Sequence, residues 1–240
     1  MKAIIPAAGH GTRFSPYTKL VPKELLPIGS RPAIDLIVRE AAEAGADEIV
    51  IVTSREKPLI ERWFEIEPPP AKVRFVHQEE QRGLGHAVLQ ARLDDTALVL
   101  LGDALVSGGN ASKAMAELSA ANGGASVIGL EEVPSEKVSR YGIVKLDGTR
   151  IVDMVEKPKA EEAPSRLAVA GRYLLDPAIF GYLADQGAGV GGEIQLTDAI
   201  RRMLAEKPVL GYVYPGRRHD IGNPAGYFKA LEAFNGIRKD

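Results

Sequence analysis

The chain has 240 residues, 45% hydrophobic and 26% charged, an ordinary globular composition that excludes disorder as its main state. Its 30 basic and 32 acidic residues give a formal net charge of -2, which argues against a dedicated nucleic-acid-binding protein. It contains no cysteine, so disulfides, thiol nucleophiles and cysteine-ligated metals are excluded.

Short apolar segments alternate with helix-like segments in the first half of the chain. Residues 2–5 predict a strand, which ends at Pro6 before a glycine-rich loop. Apolar side chains after Pro32 recur with helical spacing up to Gly45, a suitable helix C-cap. This alternation predicts parallel βαβ units, which bind ligands beyond the carboxyl ends of their strands. The other predicted elements are strands at 48–53, 73–76 and 97–101, and helices at 57–64 and 85–91.

The second half is less regular and has no internal repeat and no clear linker. We therefore predict one α/β domain over residues 1–240, in which residues 123–240 add a substrate-facing layer to residues 1–122. No apolar run is long enough to span a membrane, and the N-terminal one is too short for a signal peptide. We expect a cytoplasmic protein without a membrane partner. Strands are predicted at 125–130, 141–144, 151–156, 167–174 and 209–214, and helices at 177–183, 196–204 and 227–234.

The loop after the first predicted strand, residues 7–13 (AAGHGTR), holds two glycines and an arginine. Glycines let backbone N–H groups approach a phosphate or a base closely, and arginine suits phosphate oxygens. For this segment alone, a tight turn with a surface arginine is an equal alternative. The Walker pattern is excluded because no Gly-Lys-Ser/Thr follows. A dinucleotide fingerprint is disfavoured because Phe14 stands where a third small residue belongs.

The same loop continues to Ile28 and carries Lys19 and Lys23. Its prolines stiffen it and prevent a continuous helix. A rigid loop can hold the ammonium group of Lys23 against a triphosphate, whereas a lone Pro-Lys is usually an exposed lysine. The combination of glycines, Arg13 and Lys23 in one loop favours the phosphate site.

Residues 6–28 resemble the signature of the sugar-1-phosphate nucleotidyltransferases, in which Gly-x-Gly-Thr-Arg precedes Pro-x-Thr and Pro-Lys-x-Leu-Leu-Pro. Within that family the chain is most similar to the bacterial uridylyltransferases that use glucose 1-phosphate. The resemblance implies a Rossmann-like three-layer α/β/α fold with a central, mostly parallel sheet of the nucleotide-diphospho-sugar transferase type. It also implies a nucleotide-binding first half and a sugar-phosphate-binding second half. It assigns Arg13 and Lys23 to catalysis, and Ala8, Gly9, Gly11 and Thr12 to nucleotide binding.

A second family segment is implied to read the nucleobase. Gln78 ends a predicted strand, and Gly83 follows in a Gly-Leu-Gly-His run. A side-chain amide offers a donor and an acceptor, which suits the imide edge of uracil or thymine. Taken alone, a glutamine at a strand end is more often an exposed polar residue.

Two aspartates are candidates for magnesium. Asp103 follows a buried strand behind a glycine, and the resemblance makes it the metal ligand and a catalytic residue; a turn or N-cap aspartate is the common alternative. Asp220, in an Asp-x-Gly context, is the second candidate. Mg²⁺ needs only one or two carboxylates together with substrate phosphates.

The resemblance also implies a sugar-phosphate site. Glu156 is expected to bind sugar hydroxyls and Lys157 the phosphate, although an adjacent Glu–Lys is mostly a solvated pair. Gly142 and Gly171 are expected to line the sugar pocket. Residues 192–198 (GEIQLTD) match the family closely and predict a helix start capped by Thr197 or Asp198.

The implied reaction joins a nucleoside triphosphate to a hexose 1-phosphate and releases pyrophosphate. The expected activity is UDP-glucose synthesis with magnesium. A thymidylyltransferase or another hexose-1-phosphate specificity is the near alternative, and a non-catalytic sugar-nucleotide sensor ranks well below it because Lys23 and Asp103 are both present. The chain departs from the family at residues 65–70 (EIEPPP), which replace a helical insertion, and after Asp103. These departures leave homo-oligomer formation open.

Overall fold

The computed structural model describes residues 1–235. Residues 236–240, the end of the domain predicted from the sequence, lie outside this range. The strands are β1 (Lys2–Pro6), β2 (Pro27–Ile28), β3 (Arg31–Pro32), β4 (Glu48–Thr53), β5 (Lys72–His77), β6 (Ala97–Leu100), β7 (Ala104–Ser107), β8 (Ser126–Glu132), β9 (Gly142–Asp147), β10 (Arg150–Glu156), β11 (Leu167–Leu175), β12 (Val209–Val213) and β13 (Arg217–Asp220). The helices are α1 (Ala33–Glu43), α2 (Pro58–Ile66), α3 (Leu84–Ala91), α4 (Ala111–Ala121), α5 (Ile179–Ala184), α6 (Leu196–Met203) and α7 (Pro224–Asn235).

Nine strands form one sheet in the order β5-β4-β1-β6-β11-β8-β12-β10-β9. The pairs among β5, β4, β1 and β6 are parallel, as is β8 with β12. The other four neighbouring pairs are antiparallel. The sheet is therefore mixed, and the prediction of a mostly parallel sheet is not confirmed. The reason lies in the second half of the chain, where β9 and β10 are joined by a turn at Gly148, and so short a turn can connect only antiparallel strands.

The sheet is covered on both faces, as a three-layer fold requires. Side chains alternate across a strand, so Ile49 and Ile51 of β4 contact one apolar layer while Val50 and Val52 contact the other. The first layer contains buried residues of α1, α2, α4 and α7, and the second contains those of α3, α5 and α6. The predicted α/β/α layering is confirmed. Within residues 1–235, no helix is both long and apolar enough to cross a membrane.

A separate two-stranded sheet positions the acidic residues. Strand β7 follows Asp103 directly and pairs antiparallel with β13, with Asp220 opposite Ala104. The backbone N–H of Ile221 continues this pairing by donating a 2.9 Å hydrogen bond to the carbonyl oxygen of Asp103. Two carboxylates that are far apart in the sequence therefore lie at the same end of one ladder.

Candidate active site

A cavity of about 620 Å³ lies where β6 and β10 end. It contains residues from both halves of the chain, as expected for a site that binds two substrates. Of the residues predicted from the sequence, its walls include Arg13, Asp103, Gly142, Glu156, Lys157 and Asp220.

The two predicted metal ligands converge beside an arginine. A Cβ atom on Gly222 would lie 2.9 Å from Asp103 Oδ2, 2.9 Å from Asp220 Oδ1 and 3.0 Å from Arg13 Nη2. Nη1 of Arg13 is 3.8 Å from Asp220 Oδ2. Asp220 is held in place because its carboxylate accepts hydrogen bonds from the backbone N–H of Gly222 and from the side chain of Asn223. The prediction that Asp103 and Asp220 act at one place is therefore supported by their geometry.

Lys23 is largely buried, and its ammonium group forms an ion pair with Asp103. Burial alone would lower the pKa of Lys23, but the charges of Asp103 and Glu24 outweigh it, and the pKa lies above its usual value. Burial alone would raise the pKa of Asp103, but Lys23 and then Arg13 hold it below its usual value. The centre therefore keeps a carboxylate and an ammonium charged together at neutral pH.

The donor set fits magnesium. Asp103 and Asp220 offer only oxygen donors, which is what Mg²⁺ prefers, and each side chain keeps about a quarter to a third of its surface exposed. No group of three or more histidine, cysteine, aspartate or glutamate side chains within residues 1–235 is arranged to hold a metal. Any ion at this centre would need substrate oxygens to complete its coordination, as Mg²⁺ sites that use phosphates do.

The glycine-rich loop is fixed from both sides. The carbonyl oxygen of Ala8 accepts a 2.7 Å hydrogen bond from Gln81, and that of Gly11 accepts one of 2.9 Å from Thr18. Gly11 has a φ of +66°, a left-handed conformation that favours glycine. A Cβ atom on Gly9 would meet no heavy atom within 4 Å. Thr12 lines a second cavity of about 330 Å³, on which His10 and Lys19 also lie.

A buried ion pair below this loop was not predicted. Lys57 donates hydrogen bonds to the carbonyl oxygen of Ala7 (2.7 Å) and to the carboxylate of Glu24 (3.0 Å to Oε2). Burial raises the pKa of Glu24 and lowers that of Lys57, each against the charge of the other. Because Glu24 follows Lys23, this pair ties the lysine-bearing segment to the start of the glycine-rich loop.

Of the predicted base-reading residues, Gln78 directly follows β5 and Gly83 directly precedes α3, and neither lines the large cavity. Gln78 is 4% exposed, and its amide nitrogen lies 3.4 Å from the carbonyl oxygen of Gly83 and 2.9 Å from Nδ1 of His86. Gly83 packs tightly, since a Cβ atom there would come within 2.7 Å of the side chain of Glu193. Gln78 is thus a buried, bonded residue rather than an exposed polar one.

The predicted sugar-phosphate residues meet across the β9–β10 hairpin. Gly142 pairs with Glu156, and the backbone N–H of Lys157 bonds the carbonyl oxygen of Tyr141 at 3.0 Å. Nζ of Lys157 lies 3.5 Å from Glu156 Oε1. Lys157 has a φ of +46°, which places it in the left-handed region that favours glycine. Such a conformation is costly and tends to mark functional positions.

The prediction that Thr197 or Asp198 caps α6 was wrong, because both residues lie inside the helix. Helix α6 begins at Leu196 after Gln195, which makes no side-chain capping hydrogen bond. Thr197 instead donates a 2.6 Å hydrogen bond to Glu156 Oε2. The residue therefore orients a predicted sugar-binding carboxylate and does not cap the helix.

Gly171 does not line the cavity but lies where β11 joins β6. Its carbonyl oxygen accepts a 3.0 Å hydrogen bond from the backbone N–H of Leu101. The next residue, Arg172, is fully buried and forms a bidentate pair with Glu40 at 2.7 and 2.8 Å. It also donates a 2.8 Å bond to the carbonyl oxygen of Ala104. This unpredicted pair supports the backbone next to Asp103.

A further unpredicted arginine lies in the cavity wall. Arg218 pairs with Glu131 and stacks its guanidinium on the ring of Tyr141, 4.3 Å from the ring centre. Burial alone would lower the pKa of Arg218, but Glu131 outweighs it and raises the pKa. The residue adds a fixed positive charge to a cavity that is expected to receive phosphates.

Comparison with known proteins gives the family to which this α/β fold and its charged cavity belong. Residues 2–235 match the family described as nucleotidyl transferase, so the chain belongs to that family. The prediction that it is an enzyme of this kind is confirmed.

The names of individual relatives are more specific than the name of the family. The UTP–glucose-1-phosphate uridylyltransferase 2 of Staphylococcus saprophyticus is 43% identical over 258 aligned residues, covering 95% of this chain and 89% of that protein. A crystal structure of UDP-glucose pyrophosphorylase complexed with UDP-glucose superimposes with a TM-score of 0.91 at 38% identity, covering 99% of both chains. A UTP-bound UGPase from Acinetobacter baumannii matches with a TM-score of 0.88 at 35% identity, covering 100% of this chain and 94% of that one. The predicted similarity to uridylyltransferases is confirmed.

Proposed function

We propose that the chain condenses UTP and glucose 1-phosphate to UDP-glucose and pyrophosphate. One observation carries the proposal. Asp103, Asp220 and Arg13 meet at one point of a cavity whose walls also contain Glu156 and Lys157. The names of the relatives, which are uridylyltransferases and UDP-glucose pyrophosphorylases, support the choice of substrates.

The reaction needs little proton chemistry from the protein. A phosphate monoester has a second pKa near ~6, so the sugar phosphate is already mostly a dianion at neutral pH. No histidine is then required as a base. The remaining difficulty is repulsion, because two unit charges about 4 Å apart repel by roughly 4 kcal/mol at an effective dielectric constant near 20.

The chain supplies positive charge for both substrates. Arg13 and Lys23 are assigned to the triphosphate, and Lys157 to the phosphate of the sugar. Ala8, Gly9, Gly11 and Thr12 are assigned to nucleotide binding, and Gly142 and Glu156 to the sugar side. Such charges act by positioning the reactants and by stabilising charge in the transition state.

Asp103 and Asp220 are the residues that would hold magnesium. When bound, Mg²⁺ neutralises phosphate charge and orients the phosphates for in-line attack. The two carboxylates supply fixed oxygen donors, and Lys23 and Arg13 keep Asp103 ionised, as its lowered pKa indicates.

We further propose that residues 1–122 form the nucleotide-binding half and residues 123–240 the sugar-phosphate half. The order of the large sheet supports this division. Its strands from the first half of the chain are β1, β4, β5 and β6, and these four are adjacent and parallel. The β7–β13 ladder connects the halves by placing Asp220 next to Asp103. A cytoplasmic location and self-association stay predictions.

A pyrophosphate-release assay tests the function. UTP, dTTP, CTP, ATP and GTP are each combined with glucose 1-phosphate, galactose 1-phosphate and mannose 1-phosphate, with Mg²⁺ or with excess EDTA. We expect the highest kcat/KM with UTP and glucose 1-phosphate, and loss of turnover in EDTA. A higher kcat/KM with dTTP would make the chain a thymidylyltransferase, and binding of UDP-glucose without any turnover would make it a sensor.

A further inference from the structure

We propose that His86 is a positioning residue that fixes the orientation of the Gln78 amide and thereby selects a nucleobase with an imide N–H, such as uracil. The inference rests on the proposed function, in which Gln78 reads the base. It adds a second residue to base selection and says which atom of Gln78 faces the ligand.

The contacts of Gln78 fix its amide in one of two orientations. Its Nε2 lies 3.4 Å from the carbonyl oxygen of Gly83 and 2.9 Å from Nδ1 of His86. A carbonyl oxygen can only accept, so the amide nitrogen must face Gly83. Both N–H bonds of that nitrogen are then committed, one to Gly83 and the other to His86.

In this orientation of the amide, the imidazole accepts at Nδ1 and is assigned the tautomer with its proton on Nε2. Nε2 of His86 lies 3.1 Å from the side-chain amide of Gln90. A half-turn of that exposed amide presents its carbonyl oxygen as the matching acceptor. Burial and the charge of Arg82 lower the pKa of His86, outweighing a hydrogen bond to the backbone of Glu80 and the charge of Glu80, and so favour the neutral ring that this arrangement needs.

With the nitrogen committed, the oxygen of Gln78 is the group left for a ligand. None of residues 1–235 donates a hydrogen bond to Oε1 of Gln78. An acceptor at this position pairs with the N3–H of uracil or thymine. The same oxygen repels cytosine, because the N3 atom of cytosine is itself an acceptor. The site would therefore both bind uracil and reject cytosine.

Without His86 the amide nitrogen loses the shorter of the two contacts that hold it in place, the one of 2.9 Å. The remaining contact to Gly83 is long at 3.4 Å, so rotation of the amide becomes easier. A rotated amide would offer its N–H groups to cytosine N3. Loss of His86 is therefore expected to change base preference and not only affinity.

The test measures kcat/KM for UTP and for CTP, with glucose 1-phosphate and Mg²⁺, in matched variants. His86→Leu removes the acceptor, and His86→Asn keeps an acceptor oxygen at the position along the side chain that Nδ1 occupies. We expect His86→Leu to lower the UTP:CTP ratio by about tenfold to a hundredfold, the range for an unpaired buried donor. His86→Asn should recover most of that ratio. His77→Asn, at a histidine that bonds Glu61 at 2.7 Å, is the control and should keep the wild-type ratio.

Gln78→Leu separates this inference from the proposed function. If Gln78→Leu loses discrimination while folded His86→Leu keeps the wild-type ratio, the role of His86 is overturned and the function stands. If the wild type turns over no nucleotide, the proposed function fails first. Should His86→Leu not fold, as judged by its thermal unfolding, His86→Met removes the same acceptor and is judged by the same ratio.

Discussion

The hydroxyl of Thr197 donates a 2.6 Å hydrogen bond to Oε2 of Glu156, which joins the first turn of α6 to the last residue of β10. Gly142 leaves room for this bond, because a Cβ atom there would come within 3.2 Å of both oxygens. The bond holds the carboxylate in one orientation inside the cavity and leaves its other oxygen near Lys157.

Thr197→Val keeps the size of the side chain and removes the donor. We expect KM for glucose 1-phosphate to rise about threefold to tenfold, the value of one hydrogen bond, with little change in KM for UTP. Thr197→Ser retains the hydroxyl and is the control. Equal changes in the two KM values would show that Thr197 does not act through the sugar side.

Asp103→Asn removes one negative charge from the group of Asp103, Asp220 and Arg13 that surrounds Gly222. We expect kcat to fall by about a hundredfold to a thousandfold, as when one electrostatic contact to a transition state is lost. The concentration of Mg²⁺ needed for half-maximal rate should rise. Asp153→Asn, at a carboxylate that faces Arg201 at 3.1 Å, is the control. Near-wild-type rates in Mg²⁺ would remove Asp103 from the metal site.

Two substitutions of Lys157 separate the effect of its charge on substrate binding from the effect of its backbone conformation on stability. Both Lys157→Ala and Lys157→Gly remove the ammonium group, and we expect each to raise KM for glucose 1-phosphate more than KM for UTP. Only glycine adopts a φ of +46° without cost, so Lys157→Gly should be more stable than Lys157→Ala by about 1 kcal/mol. Urea unfolding measures that difference. An unchanged KM for the sugar phosphate in both variants would remove Lys157 from the phosphate site.

Glu40→Gln leaves Arg172 fully buried without its counter-charge. We expect the free energy of unfolding at pH 7 to fall by about 3–5 kcal/mol, as when one partner of a buried pair is removed. Burial alone would raise the pKa of Glu40, but Arg172 holds it below its usual value. The carboxylate therefore stabilises the fold fully above the unfolded pKa of 4.5, and its contribution is lost as the pH falls through the lower folded value.

The difference between wild type and Glu40→Gln should accordingly be constant from pH 6 to 8 and shrink below about pH 4.5. Urea titrations at several pH values measure it. Glu43→Gln on the same helix is the control, since Glu43 accepts an exposed hydrogen bond of 3.3 Å from the side chain of Asn110 and is not paired with Arg172. A difference that stays constant down to pH 3 would contradict the linkage.

Local patterns predicted elements in both halves of the chain where the signal lies within one segment. The apolar run EIVIVT predicted a strand at 48–53, which is where β4 lies. Strands β7 and β13 were missed, since each has four residues and they pair across more than a hundred positions. Helix α4 was missed as well, although Asn110 caps it by accepting from the backbone N–H of Lys113 at 2.9 Å, a signal present in the sequence.

The site shows the same limit. Charged residues within one motif, such as Arg13 and Lys23, could be predicted because their spacing is local. Buried pairs could not, because Glu40 and Arg172 are 132 positions apart and each alone looks like an ordinary surface charge. The bond from Thr197 to Glu156 spans 41 positions, so its sequence context suggested only a helix cap.

Gly222→Ala tests the metal centre by adding one methyl group. The substitution leaves the three charged residues themselves unchanged. The new Cβ atom would lie 2.9 Å from an oxygen of each aspartate and 3.0 Å from the guanidinium of Arg13. Real Cβ atoms essentially never approach that closely, so the carboxylates must move apart. Because small displacements of aligned groups are costly in catalysis, we expect kcat to fall about a hundredfold and the Mg²⁺ requirement to rise.

Gly181→Ala is the matched control, because a Cβ atom on Gly181 in α5 would meet no heavy atom within 4 Å. It should keep the wild-type kcat and melting temperature. If Gly222→Ala folds and keeps both the rate and the Mg²⁺ response of the wild type, the two aspartates do not need their observed separation. That result would contradict a metal site that depends on the spacing of Asp103 and Asp220.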